Sequence, residues 1–143
     1  MELLQKVFIE ITIPPAVHKE IIAISNLGYD VKSYSGSPWI KIVKPKNELG
    51  VSELLHTVDI GEAQAITLAK ELDAEYLLLD ERLGTYEANK RSLKTVGLLG
   101  VIVIAKQKNI ISEVNPILNR LRQKGFWMSQ NLINKILISV NEI

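Results

Sequence analysis

The chain has no cysteine. Disulfide scaffolds, thiolate zinc sites, iron–sulfur clusters and cysteine nucleophiles are excluded with it. A cysteine-free chain also suits a reducing compartment, and a cytoplasmic location is expected. Glycine and proline are scarce, 8 and 5 among 143 residues, which excludes collagen-like and low-complexity classes. Aromatic residues make up only 6% of the chain, too few to suggest base-stacking platforms. Long hydrophobic runs are missing too. The longest covers residues 96–105, well short of the roughly 20 residues of a membrane-spanning helix. Glu2, Lys6 and Glu10 interrupt the N-terminus, so no signal-peptide pattern is present and no membrane partner is expected. There is no glycine-rich phosphate loop of either common type. His18 and His56 stand apart from any nucleophile pattern, so no hydrolase triad can be read.

What is present suits one globular domain over residues 1–143, with 47% hydrophobic and 23% charged residues. The net charge of +1 hides a split. Residues 1–81 carry 7 Lys/Arg against 13 Asp/Glu, a net −6, and residues 82–143 carry 10 against 3, a net +7.

The hydrophobic pattern predicts strands alternating with helices. Residues 3–8 form a helical stub and residues 10–13 a β-branched strand stopped by Pro14-Pro15. Pro15 opens a helix ending near Asn26 and Gly28. Residues 29–38 have loop chemistry, residues 39–43 alternate as a strand, and residues 49–55 allow a short helix. Asp59 can cap a helix to about Leu72, with Glu62 three residues on. Residues 76–79 read as a fully buried parallel strand, followed by a polar helix over 81–93 and a very short strand at 94–96. Residues 98–105 read as strand by propensity, but the run continues to Asn109 without a turn signal, which favours a buried helix. Helices over 113–124 and from Ser129 onward close the chain. Trp39 and Trp127 are expected as core or edge aromatics. The pattern as a whole predicts an α/β sandwich with a parallel sheet.

In such sheets ligands bind at the carboxyl ends of the strands. Glu20, Glu62, Asp80 and Glu81 all fall near those ends. Carboxylates gathered without His or Cys are hard oxygen ligands that suit Mg²⁺ or Mn²⁺, and such ions suit phosphodiester hydrolysis. Lys90, Arg91, Lys94 and neighbours would then hold phosphates. A bland alternative stands beside each residue. Glu62 completes a capping box with Asp59, Asp80 caps the following helix, Glu81 favours that helix's dipole, and Glu20 is a solvated helix residue.

Four segments taken together are recognisable: Ile13-Pro14-Pro15-Ala16-Val17-His18-Lys19-Glu20; residues 55–59 leading into Gly61-Glu62-Ala63-Gln64-Ala65-Ile66; Leu77-Leu78-Leu79-Asp80-Glu81-Arg82; and Thr95-Val96-Gly97-Leu98-Leu99-Gly100-Val101. Their order and spacing resemble the PIN-domain superfamily, most of all the prokaryotic branch of predicted nucleic-acid-binding proteins related to VapC-like toxins. The resemblance implies a three-layer α/β/α sandwich with a mostly parallel sheet. It also implies a Mg²⁺- or Mn²⁺-dependent ribonuclease site, with Glu20, Glu62 and Asp80 or Glu81 as metal ligands. RNA is the implied substrate, held by Arg82, Lys90 and Arg91, and an antitoxin-like small protein is an implied partner.

One departure accompanies the matches. The family opens with a central strand ending in a ligand Asp, whereas Met1-Glu2-Leu3-Leu4 resembles the later part of the first helix. The expectation is therefore a domain truncated at its N-terminus, with weak metal binding and impaired cleavage. A misassigned start, a degraded remnant, or rescue by dimerisation or strand exchange would each account for it. The alternative function is a non-catalytic remnant that binds nucleic acid or protein.

Overall fold

A computed structural model describes residues 2–26 and 37–142. Most of the loop expected over 29–38, and the helix end expected at Gly28, lie outside the described residues. The chain forms two compact units, residues 1–98 and 99–143.

In the first unit α1 (Glu2–Phe8) leads to β1 (Ile11–Ile13) and α2 (Pro15–Asn26). Ile9 turns the chain between them with φ 65°, the left-handed region. β2 (Ile40–Ile42) pairs in parallel with β1, with Ile11 opposite Ile40 and Ile13 opposite Ile42. α3 (Glu48–Leu54) follows, capped by the Asn47 side chain, which accepts from the Gly50 N–H at 2.9 Å. α4 (Ile60–Leu72) starts as its sequence predicts, because the Asp59 carboxylate accepts from the Glu62 N–H at 2.9 Å. It stops at Asp73, whose φ of 49° ends the helical run. β3 (Leu77–Leu78), α5 (Arg82–Lys90) and β4 (Thr95–Val96) complete the unit, β3 and β4 being parallel.

The core of this unit gathers Leu54, Val58, Ala63, Ile66, Ala69, Leu77 and Ala88. Ala63 and Ala88 are wholly buried, so α4 and α5 each present a methyl group where a larger side chain would hold its neighbours apart. Ile66 is also wholly buried, and its truncation to Ala should cost about 2–5 kcal/mol.

The α/β class with parallel pairing is as expected. The sheet differs in one respect: among the described residues it is two separate two-stranded pairs, β1–β2 and β3–β4. The strand expected over 76–79 is correspondingly less enclosed. Leu77 is buried, but Leu79 is only partly so, and so are Tyr76 and Leu78, which line a cleft of about 490 Å³ beside β3.

α6 (Leu98–Gln107), whose first residue is the last of the first unit, settles the ambiguous apolar run as a helix. α7 (Asn115–Gln123) and α8 (Gln130–Ser139) follow. α7 begins two residues later than expected, and Val114 offers no side-chain cap. Glu142, beyond α8, supplies it instead, accepting from the Val114 and Asn115 N–H groups at 2.8 and 3.0 Å. Burial works to raise the Glu142 carboxyl, but these two amides and the Lys106 charge outweigh it and hold it below the usual range. Gly125 ends the segment after α7 with φ 90°, a conformation that suits glycine. Ser129 caps α8 through the Leu132 N–H, as its position predicted. Trp127 corrects an expectation. It is 82% exposed rather than part of a core, since it lies between two helices on a segment that buries Met128 instead. No helix among the described residues is long and apolar enough to cross a membrane.

Candidate acidic site

Two helix beginnings and the middle of α2 bring the acids of the first unit together. Glu20 lies on α2, Asp59 and Glu62 on the first turn of α4, and Glu81 at the N-cap of α5. Two glycines register how closely they approach. A methyl group placed on Gly61 would stand 2.5 Å from Oε1 of Glu20 and 3.5 Å from Oδ1 of Asp59. A methyl group on Gly84 would stand 3.5 Å from Oε2 of Glu62. The Gly84 N–H is itself held by Oε2 of Glu81 at 2.8 Å. The carboxylates thus form a row, Glu20 with Asp59 across Gly61, and Glu62 with Glu81 across Gly84.

The electrostatics agree with that geometry. The Glu62 carboxyl is raised above its ordinary value, first by burial, then by the negative charges of Asp59 and Glu81, with Glu20 adding to them. A hydrogen bond from the Asp59 backbone pulls the other way and is outweighed. Among the described residues no ion pair reaches Glu20, Asp59, Glu62 or Glu81. Negative charge is concentrated here and left uncompensated.

Asp80 is placed differently from its neighbours. Both of its oxygens accept from the Leu98 N–H, at 3.1 and 3.2 Å, and its carboxylate presses on Gly97 so closely that no side chain fits there. It caps α6, while Glu81 caps α5. The bland readings of these two acids thus hold in part, with the roles exchanged: Asp80 serves the helix after next. The acids acting on Glu62 are Asp59, Glu81 and Glu20.

The donor set fits a hard divalent cation in kind, being all carboxylate and, among the described residues, without an ion pair. It does not close around one: among the described residues no group of three such side chains stands in a position to hold a metal ion.

Of the three cations expected to hold RNA, Arg82 is exposed at the first position of α5, next to Glu81. Lys90 is exposed, with its ammonium 5.3 Å from the Tyr86 ring centroid and 3.7 Å from Glu87. Arg91 is turned inward, its guanidinium 2.7 Å from the Glu87 carboxylate and 3.0 Å from the Glu87 carbonyl. Glu87 is only 8% exposed, and the Arg91 hydrogen bond holds its carboxyl below the usual range. That pair is structural.

The sequence reading missed Asp59 as a member of the row, and it missed the two glycines. Both carry a signal. Each sits in the first turn of a capped helix, where glycine costs up to about 1 kcal/mol relative to alanine, and each borders a carboxylate.

A family profile described as a PIN domain matches residues 1–142. The chain shows no significant match to a curated protein and none to a solved structure. With order, spacing and parallel α/β architecture in agreement over almost the whole length, the chain belongs to the PIN-domain family.

Proposed function

We propose that the chain is a PIN-type ribonuclease domain whose divalent-metal site is Glu20, Glu62 and Glu81, with Asp59 beside them and Asp80 as an outer acid. The observation that carries this reading is the uncompensated row of carboxylates in the first turns of α4 and α5, on a chain of this family. Capping accounts for Asp59 and Glu81 singly, but not for Glu20 beside them, and like charges at close range destabilise a fold. A divalent cation bound there would neutralise the row, activate water and clamp the leaving oxygen of an in-line phosphodiester cleavage.

The chain's own residues set the conditions. Gly61 and Gly84 leave the carboxylates room to approach. The α4 and α5 amides fix Asp59 and Glu81 in place, and burial, with the neighbouring acids, raises the Glu62 carboxyl above its ordinary value. Arg82 and Lys90 offer exposed positive charge for an RNA backbone. Since no three carboxylates among the described residues converge on one point, ion binding should be weak and cleavage slow.

The test is incubation of a single-stranded RNA with the pure chain in millimolar Mn²⁺ or Mg²⁺. Slow cleavage that disappears with chelator and in Glu62→Ala is expected. Vigorous cleavage that survives Glu62→Ala would overturn the assignment. The same open geometry favours a second reading, a module that binds RNA or an antitoxin-like protein without cutting it. RNA retained on the protein, with no cleavage under any divalent ion, would establish that reading instead.

A further inference from the structure

The second unit displays an aromatic ring for which its own packing has no use. α7 and α8 belong to that unit, and the segment between them carries Phe126 and Trp127. Of the chain's two tryptophans, Trp39 is half-buried whereas Trp127 is 82% exposed. An indole left in water forgoes the large gain of burying it. The segment is nonetheless firmly held. The Phe126 N–H donates to the Leu121 carbonyl at 2.9 Å and the Gly125 N–H to the Arg122 carbonyl at 3.0 Å, which closes α7 through the positive φ of Gly125. One residue after Trp127, Met128 is buried, and Ser129 then caps α8. The exposed ring thus stands between two fixed points of the backbone.

The charge in this region has one sign. From residue 114 to residue 141 there is no Asp or Glu, while Arg120, Arg122, Lys124 and Lys135 fall within the stretch. All four are exposed, and among the described residues none takes part in a salt bridge. Arg120 and Arg122 lie in the last turn of α7, where a cation complements the helix dipole. The dipole does not account for Lys135 on α8, nor for an indole exposed three residues after Lys124.

Cations without counter-charges, followed by a bare ring, match a strand of alternating phosphates and bases. Scarce as aromatics are in this chain, one exposed indole is enough to stack one base. A lipid surface is a poorer match. Leu118 of α7 is buried and Ile117 and Leu121 are partly so, which leaves α7 no apolar face to enter a bilayer.

We propose that Arg120, Arg122, Lys124 and Trp127 form a second RNA-binding site, which holds a single strand by its phosphates and stacks one base on the Trp127 indole. The choice of RNA over DNA rests on the function proposed above, whereas the ring and the cations require only a single strand.

The probe is dodecauridylate, added in EDTA to Trp39→Phe protein, so that Trp127 is the one indole and metal-dependent cleavage does not intervene. Saturable quenching of Trp127 emission is expected. Affinity should fall with salt, each phosphate contact adding about 0.7 to the slope of log affinity against log salt, and Arg122→Gln with Lys124→Gln should lower that slope by about 1.4. By anisotropy of labelled RNA, Trp127→Ala should bind at least about fivefold more weakly, and Trp127→Phe should lose less because a phenyl ring still stacks. Unquenched Trp127 emission, or equal affinity of Trp127→Ala and the parent, would overturn the proposal. So would polyglutamate that competes as well as RNA does, tighter binding of the deoxy strand, or a blue shift on phosphatidylglycerol vesicles with no response to RNA. The result is separable from the ribonuclease reading. RNA bound through Trp127 in EDTA but left whole in Mn²⁺ would end that reading and keep this site, and metal-dependent cleavage with no effect of Trp127→Ala on affinity would do the reverse.

Discussion

Two sets of carboxylates in the same unit behave in opposite ways. Glu71 and Glu87 have donors. Glu71 accepts from the Lys46 and Asn47 amides at 2.7–3.0 Å, and Glu87 holds Arg91 at 2.7 Å. Both are held below the ordinary carboxylate value, Glu71 chiefly by those amides and Glu87 chiefly by Arg91. Glu62 faces other acids and is raised. The first set closes a turn and ties down the end of α5. In the second, Asp59 and Glu81 cap helices, yet their charges stand beside Glu62 and oppose its ionisation. What sorts them is the balance around each: donors or a cation prevail at Glu71 and Glu87, whereas at Glu62 burial and further acids outweigh its one backbone donor.

The sharpest way to break this contrast is Glu87→Ala. It strands the half-buried Arg91 guanidinium without a counter-charge, and Tm should fall by roughly 5–10 °C in a thermal melt. A drop of that size at Glu62→Ala as well would erase the distinction.

Next in size is the response to metal. Millimolar Mn²⁺ should raise the Tm of the unaltered chain by a few degrees, since a ligand that binds only the folded state stabilises it. Gly61→Ala should abolish that response by displacing the Glu20 carboxylate, while leaving Tm without Mn²⁺ within about 2 °C, because the displaced group is the exposed end of a flexible side chain. Equal metal responses in the two proteins would remove Glu20 from the site.

Glu62→Gln tests the raised carboxyl directly. In the folded chain Glu62 keeps its proton to a higher pH than in the unfolded chain, where its ordinary value is 4.5. The folded state is therefore penalised as pH rises from 4.5 through the raised value, and the penalty persists at neutrality. Glu62→Gln should raise Tm by about 1–3 °C at pH 7 and by nothing near pH 4, read from paired melts.

Glu71 has the opposite sign and the smallest effect, being exposed. Its stabilisation is complete above its ordinary 4.5 and is lost as pH falls through the lowered value. Glu71→Gln should lower Tm by about 1–2 °C at pH 7, and the gap should close toward pH 3. A gap that widened in acid would contradict the assigned direction.

Many of the helices are legible in the chain. Pro15, Asp59 and Ser129 mark helix starts because capping and proline chemistry act over three or four residues. The ambiguous run over 98–105 is a helix because its apolar stretch is long and lacks a turn signal, although its residues favour strands one by one. The start of α7 was not legible, since its cap is Glu142, 28 residues from Val114. The same limit governs the site. Glu20, Glu62 and Glu81 can be singled out as acids near strand ends, yet nothing local says that Asp80 will turn to Leu98, 18 residues away, or that Arg91 will turn inward.

The sequence by itself determined the parallel α/β class, the helix starts that carry the acids, and membership of the PIN-domain family. Those features rest on periodicity, capping and spacing, which act over a few residues or are preserved in order along the chain. Tertiary structure alone decided which carboxylates meet, which are neutralised by amides or arginine, and that Trp127 stands exposed. Those outcomes depend on groups from distant parts of the chain, and neither composition nor period records them.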